Sequence, residues 1–188
     1  QSELNIVHSA GGLLTPSEAV QNPHRLALSG PAAGLRGALS VGARCGLTDL
    51  ITLDMGGTST DVALICNGEL PYKWATKIEN FPLLAPTLEI HTIGAGGGSL
   101  ALCDPSGFLR VGPQSAGAQP GPACYARGGR APTVTDALYW NGLLPEFLGD
   151  ERLPLERDAC RSAQAHVARN LSLDIDSLAD GILEVTAH

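Results

Sequence analysis

The stretch Asp54-Met55-Gly56-Gly57-Thr58-Ser59-Thr60-Asp61 sets a carboxylate on each side of two adjacent glycines and a run of hydroxyl residues. Gly56 and Gly57 have no Cβ, so their amides can turn into a concavity through conformations that other residues avoid. Such a row of N–H groups is a nest for an anion and suits a phosphate. Asp54, at the end of an apolar strand, is placed to hold Mg²⁺ through water or to orient an attacking water. Thr58 and Thr60 can hydrogen-bond phosphate oxygens. A Gly-Gly hairpin turn with polar neighbours also forms without a ligand. Acids before and after the glycines go beyond what such a turn needs.

The elements around this stretch must position it. Ile51 and Leu53 before the turn, and Val62, Leu64 and Ile65 after it, predict two strands suited to a buried sheet. Upstream, residues 4–8 predict a short strand. Thr15-Pro16-Ser17-Glu18 predicts a helix start, with Thr15 as cap and Glu18 at its third position. Pro23 ends that helix, and residues 24–28 predict a brief strand or extended link. Ser29-Gly30-Pro31 opens a second helix rich in small residues, with Gly46 as its stop. Those small residues allow close packing on a sheet, and the free amides of the first turn can equally face an anion. Asn67-Gly68 predicts a two-residue hairpin turn, followed by a strand over Leu70–Ile78 and a proline-broken, extended segment 81–88.

A strand over residues 88–94 runs into Ala95-Gly96-Gly97-Gly98-Ser99. A dinucleotide-binding fingerprint needs a helix after its glycines. Here residues 100–111 predict strand, Asp-Pro-Ser-Gly turn and strand, so that reading fails. A glycine loop feeding a hairpin still permits close backbone approach to a ligand or to another stretch of chain. Gly96, Gly97, Gly98 and Ser99, with His91, are therefore candidates for a ligand cleft. His91 reads as an acid–base group or metal ligand, or as a hydrogen-bonded structural residue. Residues 112–132 show no periodicity yet are nearly apolar, which predicts an ordered loop on the domain or lining a cleft. Cys124 within it has no activating neighbour and reads as an inert thiol rather than a nucleophile. Helices are predicted over 136–142 (capped by Thr135 or Asp136), 155–170 and 175–187 (capped by Asp174 or Asp176).

Composition narrows the function. The chain has 188 residues, 12 basic and 19 acidic, and a formal charge of −7. Nothing concentrates positive charge, which argues against nucleic acid or an anionic membrane as partner. Aromatics make up 4%, too few for a base-stacking platform. No apolar run is long enough for a membrane span. Cys45, Cys66, Cys103, Cys124 and Cys160 are widely spaced, as are the histidines. This predicts reduced thiols, a cytoplasmic setting and no local zinc site. The start at Gln1 and the end at His188 read as those of an excised piece of a longer protein.

Several stretches together resemble one family, the hydantoinase A / 5-oxoprolinase / acetone carboxylase family. They are Ser29-Gly30-Pro31-Ala32, Asp54 to Asp61, His91 to Ser99, Val111 to Ala118, Pro120 to Tyr125 and Pro132 to Ala137. The resemblance covers almost the whole chain and implies an α/β fold. That fold would be part of an actin-like ATPase (ribonuclease H-like) lobe, a mixed sheet with β-hairpins and flanking helices. The chain would then be a single central fragment, residues 1–188, truncated at both ends. The resemblance implies ATP and Mg as cofactors, with Asp54 catalytic and holding Mg through water. Gly56, Gly57, Thr58, Thr60 and Asp61 would lie at the nucleotide phosphates. The implied activity is ATP-dependent hydrolysis of a cyclic amide, as in N-methylhydantoinase A and 5-oxoprolinase, with a hydantoinase B-type subunit or domain as partner in an oligomer. Acetone-type carboxylation and a non-catalytic actin-like module are the alternatives. Motifs for the first phosphate loop and for adenosine lie outside these residues, so the isolated chain is expected to bind ATP weakly and turn nothing over.

Overall fold

A computed structural model describes residues 3–78, 81–149 and 152–188. The chain forms two compact units, residues 1–54 with 61–92, and residues 55–60 with 93–188.

In the first unit, β1 (Ile6–Val7) pairs antiparallel with β2 (Leu13–Leu14). Helix α1 (Pro16–Gln21) starts where its residues predict. Thr15 Oγ1 accepts from the Glu18 amide and Glu18 accepts from the Thr15 amide, a capping box. Residues Pro23–Leu26 form a 3₁₀ turn instead of the expected extended link. There Ser9 donates to the Arg25 carbonyl through both its amide and its hydroxyl and accepts from the Leu28 amide, drawing the segment into a tight bend. Helix α2 (Ser29–Arg44) follows, and Gly46, at φ +72°, stops it as expected.

Strands β3 (Leu50–Met55) and β4 (Thr60–Ile65) flank the glycine turn. Asn67 and Gly68 both take positive φ, 53° and 74°, in the turn after β4. The expected strand over Leu70–Ile78 is instead broken at the exposed Trp74 into β5 (Tyr72–Lys73) and β6 (Thr76–Ile78). The chain then doubles back, β7 (Phe81–Leu83) pairing with β6 and β8 (Thr87–Leu88) with β5. Strand β9 (His91–Ile93) joins a three-stranded sheet of order β3-β4-β9.

Helix α2 packs on that sheet. Ala32 and Leu35 meet Ala63, Ile65, Leu70 and Leu88, with Ala38, Leu39, Leu50 and Ile90 around them. The spacing of Ala32, Leu35, Leu39 and Gly42 puts small and apolar residues on one helical stripe. Ile51 and Leu53 depart from the expected burial and are 75% and 71% exposed. Leu64, on the central strand β4, is 52% exposed as well, so it is an uncovered face of the sheet rather than its edge that leaves these side chains out.

In the second unit, β10 (Ser99–Cys103) and β11 (Leu109–Ser115) form the expected hairpin, with Ala101 opposite Val111 and an irregularity between Ser99 and Ala101. Asp104 Oδ1 accepts from the Ser106 and Phe108 amides and shapes its turn. A 3₁₀ turn, Ala123–Tyr125, follows. It is part of a buried run, residues 121–124; of the loop expected over 112–132, residues 112–115 instead extend β11, and residues 117–120 and 126–128 are exposed.

Helix α3 (Val134–Trp140) begins earlier than its residues suggested, because Thr133 rather than Thr135 or Asp136 is the cap. Strands β12 (Phe147–Leu148) and β13 (Leu153–Pro154) pair. Helices α4 (Arg157–Asn170) and α5 (Ile175–Ala187) complete the unit, with Asp174 capping α5. Ala101, Val134, Ala137, Val167, Leu178 and Ile182 make the core between hairpin and helices. No helix among the described residues is long and apolar enough to cross a membrane.

Candidate functional site

The chemistry-bearing residues fall into two sets, one in each unit. In the first unit a cavity of about 220 Å³ opens between α2 and the sheet. Asp54 lines it from β3 and Asp61 from β4, with Thr52 and Ala63 beside them. Pro31 and Gly34 line it from the first turns of α2, and Ile90 closes another side. A Cβ on Gly34 would stand 3.8 Å from Asp54 Oδ2, an ordinary contact, which puts this turn of α2 directly beside the carboxylate.

Asp61 is half-buried, and the Thr92 hydroxyl donates to its Oδ1 at 2.6 Å, which fixes the carboxyl rotamer. Asp54 is exposed. Two carboxylates facing one cavity repel each other unless a cation or a proton sits between them. From α2, Pro31 has no N–H and Gly34 lies past the first turn of the helix, so the helix residues that line the cavity shape it without adding a free amide donor. Among the described residues no cluster of three or more His, Cys, Asp or Glu could hold a metal by itself.

His91 lies elsewhere. It lines a separate apolar depression with Ile51, Leu64, Pro71, Lys73 and Glu89, where Lys73 and Glu89 form an ion pair at 3.0 Å. Asp54 and Asp61 are not among the residues of that depression.

In the second unit the tip of the hairpin, residues 55–60, meets the glycine loop directly. The Gly97 amide donates to Gly56 O at 2.9 Å and the Gly98 amide to Gly57 O at 2.7 Å. The Gly56 amide closes the tip onto Ser59 O at 2.8 Å. Thr60 is buried, and its hydroxyl donates to Ala95 O at 2.6 Å. The Ser115 hydroxyl donates to Gly57 O at 3.2 Å.

The two loops approach so closely that side chains are excluded. A Cβ on Gly96 would lie 2.7 Å from Gly56 O and 2.8 Å from Ser59 N, and one on Gly98 would lie 2.6 Å from Gly57 O. A Cβ on Gly57 itself would meet nothing within 4 Å. Thr58 is exposed at the tip. Ser99 is fully buried, and its hydroxyl accepts from the Gly96 amide at 2.9 Å, so it shapes the loop from within.

Residues from distant segments complete each set. Thr92 and the α2 residues Pro31 and Gly34 join the acids only through packing. Thr135 joins the glycine loop in the same way, its amide and its hydroxyl each donating to Gly97 O at 2.8 Å. For the start of α3 a local signal does exist: Thr133-Val134-Thr135-Asp136 has capping-box spacing. Cys124 and Cys160 are both fully buried. Burial, reinforced by the nearby Asp136 carboxylate, pushes the Cys124 thiol far up from its ordinary range and that of Cys160 up to about 11. Neither is a nucleophile near neutral pH.

The sequence profile of the Hydantoinase/oxoprolinase family matches residues 1–188. Caprolactamase subunit alpha of Pseudomonas jessenii is 40% identical over 158 residues, 82% of this chain and 23% of that protein. The acetophenone carboxylase gamma subunit of Aromatoleum aromaticum is 34% identical over 177 residues, 90% of this chain and 23% of its own length. The 5-oxoprolinase of Saccharomyces cerevisiae is 38% identical over 174 residues, 84% of this chain and 13% of the enzyme.

Among solved structures, nucleotide-free acetone carboxylase superposes with a TM-score of 0.85 at 30% identity, over 97% of this chain and 26% of that one. The ATP-dependent caprolactamase of P. jessenii superposes with a TM-score of 0.79 at 35% identity, over 99% of this chain and 27% of that one. The fold is therefore α/β of the actin-like ATPase class. The chain spans about a quarter or less of the length of these relatives.

Proposed function

Because the chain belongs to the hydantoinase/oxoprolinase family, we propose that it serves an ATP-dependent hydrolase that opens a cyclic amide such as a hydantoin or 5-oxoproline. The observation that carries this reading is the cavity shared by Asp54, Asp61 and the first turns of α2. At about 220 Å³ it is smaller than the ~300–1,000 Å³ of a typical small-molecule pocket. It therefore takes the phosphate end of a nucleotide and leaves the adenosine to other parts of the intact enzyme.

Asp54 and Asp61 are the groups that would hold Mg²⁺. With two carboxylates available, water and phosphate oxygens complete the shell, the arrangement Mg²⁺ favours. When bound, ATP supplies the activation that an unstrained amide needs, by converting the amide oxygen into a phosphorylated leaving group. The chain's own part is electrostatic and positional. Asp54 orients a water or the metal's hydration shell. Thr92 holds Asp61 in one rotamer. Thr58 and the Gly57 amide give the tip its affinity for phosphate oxygens, while the Gly56 amide is held within the turn by Ser59 O. The glycine loop 96–98 and Ser99 border the same tip.

The subunit names of two relatives support assembly with a B-type subunit into an oligomer. Five free cysteines support a reducing, cytoplasmic setting. A second reading, an acetone-type carboxylase, is favoured by the superposition on acetone carboxylase. ATP turnover by the intact enzyme, with candidate cyclic amides and with ketones plus bicarbonate, decides between them. Bicarbonate-independent release of a ring-opened carboxylate supports the hydrolase, and strict bicarbonate dependence rejects it. Retention of full ATP turnover by Asp54→Asn would remove the cavity from either mechanism.

A further inference from the structure

We propose that Thr135 is a positioning residue for the phosphate turn, acting through the glycine loop; this rests on the reading of residues 54–61 given above. The chain of contacts lies wholly within the second unit. Thr135 donates to Gly97 O twice, through its amide and through its hydroxyl, each at 2.8 Å. On the opposite side of the loop, the Gly97 amide donates to Gly56 O and the adjacent Gly98 amide to Gly57 O. The carbonyls of the turn are thus held by a loop that Thr135 holds in its turn.

The loop itself has no side chains with which to grip. Gly96 and Gly98 cannot carry a Cβ without colliding with the backbone of residues 56–59, and a Cβ on Gly97 would stand 2.8 Å from the Thr135 hydroxyl. Its conformation is therefore set by the side chains around it: Ser99 holds the Gly96 amide at one end, and Thr135 holds the Gly97 carbonyl from behind. Thr135 is 8% exposed, so water does not compete effectively for its hydroxyl.

What holds Thr135 is the next residue. Asp136 is fully buried, and its carboxylate accepts from the amides of Ala123, Cys124 and Thr133 and from the Thr133 hydroxyl, at 2.7–3.2 Å. The first turn of α3 is thereby pinned to the buried 121–124 segment and does not rotate. Asp136 is the anchor, and the Thr135 hydroxyl is the adjustable contact. Removing that hydroxyl leaves the amide bond to Gly97 O but loosens the loop's orientation. The effect reaches the turn as weaker phosphate affinity rather than as loss of a reacting group.

The test uses the intact enzyme with Mg-ATP. Thr135→Val keeps the branched shape and removes the donor, Thr135→Ala removes both, and Thr135→Ser keeps the donor. Losing one buried hydrogen bond corresponds to roughly a two- to tenfold change. The expected result is a KM for ATP raised about five- to tenfold in Val and Ala, a kcat within about twofold of wild type, and near wild-type KM in Ser. Asp54→Asn is measured in parallel. If Asp54→Asn is inactive while Thr135→Val keeps wild-type KM, the inference about Thr135 fails and the site stands. If Ser is impaired as much as Val or Ala, the hydroxyl is not the agent and the inference fails. If Asp54→Asn turns over ATP normally, the site reading fails and takes this inference with it. Should valine prevent folding, the contrast between serine and alanine decides the question in the same way.

Discussion

Asp54 and Asp61 of the first unit face a cavity; Asp136 of the second is sealed inside. Asp54 is exposed and Asp61 half-buried with one hydroxyl donating to it, so both retain acceptor capacity for a metal, water or substrate. Asp136 is fully buried, and amides and a hydroxyl from its own capping box and from the 123–124 segment surround it. The same side chain does opposite things because its partners differ. A carboxylate whose lone pairs are occupied by backbone donors fixes structure, and one left facing a cavity is available for chemistry.

The glycines divide in the same way. A Cβ on Gly34 would make an ordinary contact beside the cavity, whereas Gly96 and Gly98 are glycine because backbone lies against backbone. An acid or a glycine in a sequence therefore does not declare its role; the number of neighbours with unmet hydrogen bonds does.

The contrast can be broken most directly at Asp136. Asp136→Ala strands several buried donors, each worth ~1–3 kcal/mol, and is expected to lower stability by about 3–5 kcal/mol in denaturant unfolding. A loss under about 1 kcal/mol would show that the buried carboxylate holds nothing together. Asp54→Asn should do the reverse. Stability is expected to stay within ~0.5 kcal/mol while ATP turnover of the intact enzyme falls about 10²–10³-fold.

The glycines sharpen the comparison further. Gly98→Ala forces a Cβ toward Gly57 O and should cost about 1–3 kcal/mol. Gly57→Ala meets open space and should change stability by under ~0.5 kcal/mol. Equal costs at the two positions would contradict the backbone-to-backbone packing.

The smallest effect is expected at alkaline pH. The Cys160 thiol rises from an ordinary 9.0 to about 11. Above about pH 9 the unfolded chain loses that proton while the folded chain keeps it, so deprotonation favours unfolding. Stability from this group is complete below the unfolded value and declines as pH rises through the folded one. Cys124 shifts in the same direction. Urea midpoints at about pH 8 and about pH 10 should show this decline, and Cys160→Ala should reduce it. In the folded protein the exposed Cys45 and Cys66 should react with a thiol reagent while Cys124 and Cys160 stay protected.

Much of the fold was legible in the residues because the signals are local. The Thr15–Glu18 box, the Asn67-Gly68 turn, the Asp104 turn and the stop at Gly46 each depend on residues within a few positions of the backbone they shape. The glycine turn at 56–57 and the strands on either side were equally plain. Where local signals conflicted, expectation failed: β5 and β6 read as one strand, and residues 24–28 as an extended link, because backbone partners from Ser9 and from the returning strands β7 and β8 were invisible along the chain.

The sequence by itself determined which residues carry usable chemistry, where the chain turns and which helices form, since propensity, capping and periodicity act between near neighbours. Only tertiary structure decided that Asp54 and Asp61 share a cavity with Pro31 and Gly34 while His91 lines a different depression. Tertiary structure alone also seated the glycine loop on the hairpin tip, left Ile51 and Leu53 uncovered, and enclosed Asp136. These outcomes depend on segments tens of residues apart meeting in space. Such meetings are set by the fit of whole surfaces, which no window along the chain contains.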